Sequence, residues 1–200
     1  MTHDSRLLFG PLAAALLFMG VAALPLGVPG YDPVRQTVSE IGEAGSPMRL
    51  PFTILLCAVA LCLLVFAWGL GRHRASRWPA YFTAAFAISV AGVGVFAFPH
   101  DLHNLFGMSQ LVGYQAPLVL ALTWRRAPGA RAAVAVSAVM AAVVLLMIVL
   151  NLASIIDRGG DGLWAMVGPV YGLVQRGLFA AWFAWVAGLG LLLWRARPTS

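Results

Sequence analysis

Lysine is absent from the 200-residue sequence, and only 10% of its residues carry a charge. A soluble domain carries roughly 25% charged residues, so this chain has too few to cover a water-facing surface. The same scarcity, with 61% hydrophobic residues and a mean hydropathy of +0.87, excludes a disordered chain. Cysteine is nearly missing: Cys57 and Cys62 are the only two, both in one apolar run. Their spacing puts them on different faces of a helix, so they read as buried thiols rather than as a disulfide or a metal pair. Acidic residues number seven against thirteen arginines, a net charge of +6. The arginines stand in short clusters between apolar runs, as membrane orientation signals do. No nucleic-acid partner is expected from that pattern. What remains is an integral membrane protein.

Six apolar stretches are present, at about residues 7–28, 51–70, 80–98, 105–124, 132–152 and 174–194. Each approaches the roughly 20 residues that a spanning helix needs. They leave no room for a soluble domain, so residues 1–200 are read as a single all-α bundle of six transmembrane helices. The first stretch exceeds the roughly 7–15 residues of a signal-peptide core and is read as a retained span. With the N-terminus inside, Arg6, Arg72, Arg74, Arg77, Arg125, Arg126, Arg131, Arg195 and Arg197 fall on the inner side, and only Arg35, Arg49, Arg158 and Arg176 outside. The positive-inside rule therefore predicts both termini cytoplasmic, and the expected location is the plasma membrane. Trp68, Trp78, Trp124 and Trp194 fall at inner helix ends, where an interfacial belt would sit. Gly92 and Gly94 offer small residues through which the chain could form a homo-oligomer.

The unusual residues lie in the outer regions. In the first, Asp32 is a plausible N-cap with Pro33 at the first helical position. Val34, Val38 and Ile41 make a narrow apolar stripe opposite Arg35, Gln36, Ser39 and Glu40, which predicts a short amphipathic helix ended by Gly42. It is read either as a capped connector or as a polar face closing over the bundle. The second outer loop, Phe98-Pro99-His100-Asp101-Leu102-His103, ends the third helix at its proline. On the fourth helix His103, Gly107, Gln110, Tyr114 and Pro117 share a stripe. Polar side chains at that depth hydrogen-bond neighbouring helices or line a wet cavity, because lipid cannot satisfy them. The third outer region has a turn at residues 157–162. After it Tyr171, Gln175, Leu178, Trp182 and Trp185 share a stripe of the sixth helix. Arg176, off that stripe, must snorkel, pair with Glu40, Asp101, Asp157 or Asp161, or bind an anion.

Three segments carry a resemblance: Asp32 to Gly42 ending Ser39-Glu40-Ile41-Gly42, Gly94 to His103 with Phe98-Pro99 and Asp101, and Gly172-Leu173-Val174-Gln175-Arg176. In order and spacing they resemble the domain of unknown function 998 family of bacterial and archaeal membrane proteins. That resemblance covers nearly the whole chain and implies a six-helix architecture without supplying a reaction. A glutamate is expected at least as often where Gln175 stands.

Three functions remain open. A lipid or small amphipath would be bound or handled in an outward-facing polar pocket, its headgroup held by Arg35 and Arg176 and its depth lined by Gln110, Tyr114 and Gln175. A metal-dependent intramembrane hydrolase would draw its catalytic residues from Ser39, Glu40, Asp101 and His103, with His100, Asp101 and His103 as zinc ligands. A structural or accessory subunit would use the same groups to close the bundle. The first is favoured, with membrane lipids as partners and no cofactor expected. Two placements follow from it: His103 and Asp101 beside Ser39 or Glu40, and Glu40, Asp101 and Arg176 around one pocket. Reporter fusions at about residues 75 and 128 are expected to read cytoplasmic, and those at about 45 and 160 external; an external signal at 128 would overturn the topology.

Overall fold

The computed structural model describes residues 4–72, 75–157 and 162–196. Arg74, Arg158, Gly159, Gly160, Asp161 and Arg197, used in the readings above, lie outside those residues. The described chain is helical throughout, with no strand. Six helical stretches are long and apolar enough to cross a membrane: Ser5–Gly27, Arg49–Gly71, Trp78–Val95, Asp101–Thr123, Arg131–Asn151 and Leu163–Arg195. They match the six predicted spans to within a few residues, apart from the last, which begins eleven residues earlier with a short helix at its head.

The helices are α1 (Phe9–Ala23), α2 (Arg49–Gly71), α3 (Trp78–Val95), α4 (Asp101–Gly113), α5 (Ala116–Thr123), α6 (Arg131–Asn151), α7 (Ala153–Ile156), α8 (Leu163–Val167) and α9 (Tyr171–Arg195). Helix α1 packs on α2 and α9, α2 on α3, and α6 on α9. The chain enters at one face of the bundle, here the terminal face. There Asp4 lies 3.9 Å from Arg72, and the Trp124 indole donates to the Ser76 carbonyl at 3.2 Å. The segments before α2, before α4 and before α9 meet at the opposite, loop face. The core between the faces holds Phe52, Phe66, Phe86, Trp182, Phe183 and Trp185, all fully buried. Phe86 stacks on Trp182 at a centroid distance of 3.9 Å.

The fourth span is broken. Helix α4 stops at Gly113, Tyr114 and Gln115 form a turn, and α5 restarts at Ala116. Pro117 is the reason. It has no N–H to give the Gly113 carbonyl, and its ring crowds that carbonyl. Hydrocarbon cannot satisfy a freed carbonyl, and here the Trp182 indole N–H does so from α9 at 3.2 Å, fully buried. The two halves then pack differently, α4 on α3 and α5 on both α6 and α3.

Several expectations are corrected. The helix of the first outer loop begins at Val38, not Asp32. Asp32 caps only a turn, accepting from the Val34 N–H at 2.9 Å. Thr37 is extended, and a new five-residue 3-10 helix, Val38–Gly42, starts after it. The Thr37-x-x-Glu40 pattern sets that restart: the Glu40 carboxylate accepts from the Thr37 N–H and hydroxyl, both at 2.8 Å. The third helix ends at Val95, three residues short of the predicted end. Trp124 is buried rather than in an interfacial belt, while Trp68 and Trp78 are exposed. Cys57 is exposed and only Cys62 buried. Gly92 and Gly94 face inward, where an added Cβ would strike the Phe106 ring and come within 2.8 Å of Leu56, so neither offers a surface to a second copy.

Candidate functional site

The loop face is held by a latch between the first outer loop and the head of α9. Arg176 sits a turn and a half into α9, and its guanidinium turns back to the loop. One nitrogen donates to the carbonyls of Pro33, Gln36 and Gly172, each at 2.9 Å, and the other to the Tyr31 hydroxyl. The Tyr31 hydroxyl in turn donates to the Thr37 carbonyl at 2.7 Å. Burial pushes the Tyr31 phenol above its usual range, against the pull of the Arg176 guanidinium. Beside this, the Gln175 side-chain oxygen accepts from the Val38 N–H at 2.6 Å, and the Leu173 N–H donates to the Val34 carbonyl at 3.2 Å. Gly172 lets the two backbones touch: a Cβ there would come within 2.6 Å of the Pro33 carbonyl oxygen.

A second arginine acts in the same way. Arg49, at the start of α2, donates to the Gly94 and Val95 carbonyls at 2.8 and 2.6 Å. It caps the last turn of α3, where the helix dipole is negative. The loop is tied to the α3–α4 connection by the Ala44 N–H, which donates to the Phe98 carbonyl at 2.9 Å.

Beneath the latch lies a cavity of about 440 Å³. Its mouth is lined by the first loop, α4, the α6–α7 junction and the first turns of α9, and its depth also by α1, α2 and α3. The split packing of α4 and α5 accounts for it, since α4 leans on α3 and leaves a wedge facing α6 and α9. Apolar side chains line the depth, among them Phe52, Leu56, Val90 and Phe183. Thr37, Ser39, Glu40, His103, Asn104, Gln110, Asn151 and Gln175 bring polar groups to it. Among the described residues Glu40 is the sole Asp, Glu or Arg in the lining, and its second oxygen accepts from the Gln36 amide at 2.9 Å.

The candidate residues divide. Ser39, Glu40, His103, Gln110, Tyr114 and Gln175 all line this cavity. His103 is buried, its Nδ1 2.7 Å from the Phe96 carbonyl. That contact fixes the proton on Nδ1 and leaves Nε2 as the acceptor in the neutral ring. Asp101 is exposed and does not line the cavity, so it does not sit with His103 beside the loop. It stands in the first turn of α4, where a carboxylate complements the dipole. His100 is also exposed, its Nδ1 capping α4 from the Leu102 N–H at 3.0 Å. His100, Asp101 and His103 therefore do not converge; among the described residues no three His, Cys, Asp or Glu side chains are placed to hold a metal. Arg35 is largely exposed, 3.8 Å from Asp32. Arg35 and Arg176 both lie outside the cavity lining. Glu40, Asp101 and Arg176 thus go to three different environments rather than around one pocket. Tyr31, Thr37, Asn104 and Asn151 were not singled out from the sequence; only Thr37 carried a signal, its spacing to Glu40.

The model of the family described as "Protein of unknown function (DUF998)" matches residues 11–192. The chain belongs to this family. No curated protein and no solved structure matches it. The first and last of the three segments that resembled the family are the two halves of the latch, and the middle one lies beside them at the Phe98 carbonyl.

Gly172→Ala is expected to force the loop off α9 and cost about 1–3 kcal/mol of stability. Gly188→Ala, on the same helix with open space around it, is expected to be neutral or slightly stabilising. Thermal unfolding of both variants in detergent checks this; equal stability would contradict the latch.

Proposed function

We propose that this protein binds or handles a lipid-like amphipath in the cavity beneath the latch. The observation that carries the reading is one cavity of about 440 Å³ with an apolar depth and polar groups around it. That volume falls in the range of small-molecule sites, roughly 300–1,000 Å³. An alkyl chain would lie against Phe52, Leu56 and Phe183, and an uncharged headgroup would meet Ser39, Asn104 and Gln175. An anionic headgroup at this mouth is disfavoured, because Arg176 lies outside the lining, turned to Tyr31 and three carbonyls, and Arg35 points to solvent. Entry would run between α4 and α7, where Asn104, Met108, Ser154 and Ile155 are both exposed and part of the lining. The latch holds the loop over the cavity and would keep water from the chain. By the arginine distribution, the loop face would be external and both termini cytoplasmic in the plasma membrane.

Gly107 lines the cavity and has nothing within 4 Å of an added Cβ. Gly107→Phe would therefore start a bulky side chain from open space beside the cavity. Native mass spectrometry with monoolein as the probe is expected to show one molecule retained per chain, with occupancy reduced about ten-fold or more in Gly107→Phe. Undiminished retention in that variant would overturn the reading.

A further inference from the structure

The terminal face carries a second recess, of about 810 Å³, in the α2–α3 hairpin and remote from the cavity above. Ala67 on α2 and Ala84 on α3 form its floor, where larger side chains would fill it. Trp68 and Tyr81 also line it and are 60% and 56% exposed, so they face outward from the bundle. Arg72 and Arg77 line its aqueous end, and both are exposed. Their charge is poorly compensated. Among the described residues the one carboxylate within 4.0 Å of either is Asp4, 3.9 Å from Arg72 and already paired with Arg6 at 3.4 Å.

We propose that this recess binds an anionic phospholipid, with the phosphate at Arg72 and Arg77 and the acyl chains over Ala67 and Ala84. Guanidinium groups suit phosphate oxygens because they present paired donors in a fixed plane. Basic recesses between membrane helices attract anionic headgroups for the same reason. The apolar floor and the outward-facing aromatic walls select a lipid over a free phosphate ion. A soluble anion would gain nothing from Trp68 and Tyr81, whereas acyl chains descending from the headgroup would cover that surface. The site is independent of the loop-face cavity and shares no lining residue with it.

The test is native mass spectrometry of delipidated protein in a non-ionic detergent, titrated with phosphatidylglycerol or phosphatidylcholine. Phosphatidylglycerol is expected to bind the wild type at least about ten-fold tighter, and the double variant Arg72→Gln/Arg77→Gln to lose about thirty-fold. Arg125→Gln/Arg126→Gln, on the same face but outside the recess, is expected to stay within about two-fold. Glycerol 3-phosphate at equal concentration is expected not to compete. Equal affinity for the two lipids, equal losses in both double variants, or competition by glycerol 3-phosphate would each overturn the proposal. Should Arg72→Gln/Arg77→Gln fail to fold, Ala84→Trp fills the floor with the arginines intact, and undiminished phosphatidylglycerol binding there would overturn it as well.

Discussion

Hydrocarbon offers no hydrogen-bond partner, so every polar group that leaves a regular helix inside the bundle must find one on another element. Two such groups shape this molecule. Pro117 frees the Gly113 carbonyl at mid-membrane, and Trp182 reaches it from α9. The first outer loop leaves the carbonyls of Pro33 and Gln36 without helical partners, and Arg176 reaches both. Among the described residues no buried side-chain nitrogen or oxygen lacks a partner. One helix, α9, thus answers both interruptions and ties the first loop to the fourth span.

The cavity follows from the same accounting. A continuous fourth helix would pack along α3 or α6 over its whole length. Broken at Tyr114 and Gln115, it packs on α3 alone above and on both α6 and α3 below, and the divergence leaves the wedge. The loop then covers the wedge because Gln175 and Arg176 draw its backbone onto α9. The interruption that makes the space and the latch that roofs it both lean on α9, through Trp182 at one depth and Gln175 with Arg176 at another.

Much of this was legible in the sequence. Length and apolarity alone give the six spans, since a bilayer admits few alternatives to a helix of about 20 residues. The polar stripe of His103, Gln110 and Tyr114 was visible by helical period, but Pro117 was placed on that same stripe of one continuous span, so the break at Tyr114 and Gln115 was not foreseen. What periodicity could not show was the partner of each arginine. Arg49 and Arg176 bond backbone carbonyls, which every residue carries, so no sequence pattern marks the acceptor. Arg176 neither snorkels to water nor pairs with a carboxylate within the described residues; three carbonyls and the Tyr31 hydroxyl take the carboxylate's place. Asp101 was grouped with His103 by proximity in sequence, but at the start of α4 two neighbours two positions apart point to opposite sides. Thr37 and Glu40 carried a readable capping pattern, overshadowed by the apolar stripe of Val34, Val38 and Ile41.

Amide hydrogen exchange of residues 33–42 in lipid nanodiscs addresses the latch most directly. In the wild type the Val38 amide, bonded to Gln175, is predicted to exchange about as slowly as the first turns of α9, and in Gln175→Leu/Arg176→Gln it is predicted to exchange like an open loop. Rapid exchange of Val38 in the wild type, or protection unchanged in the double variant, would contradict the account.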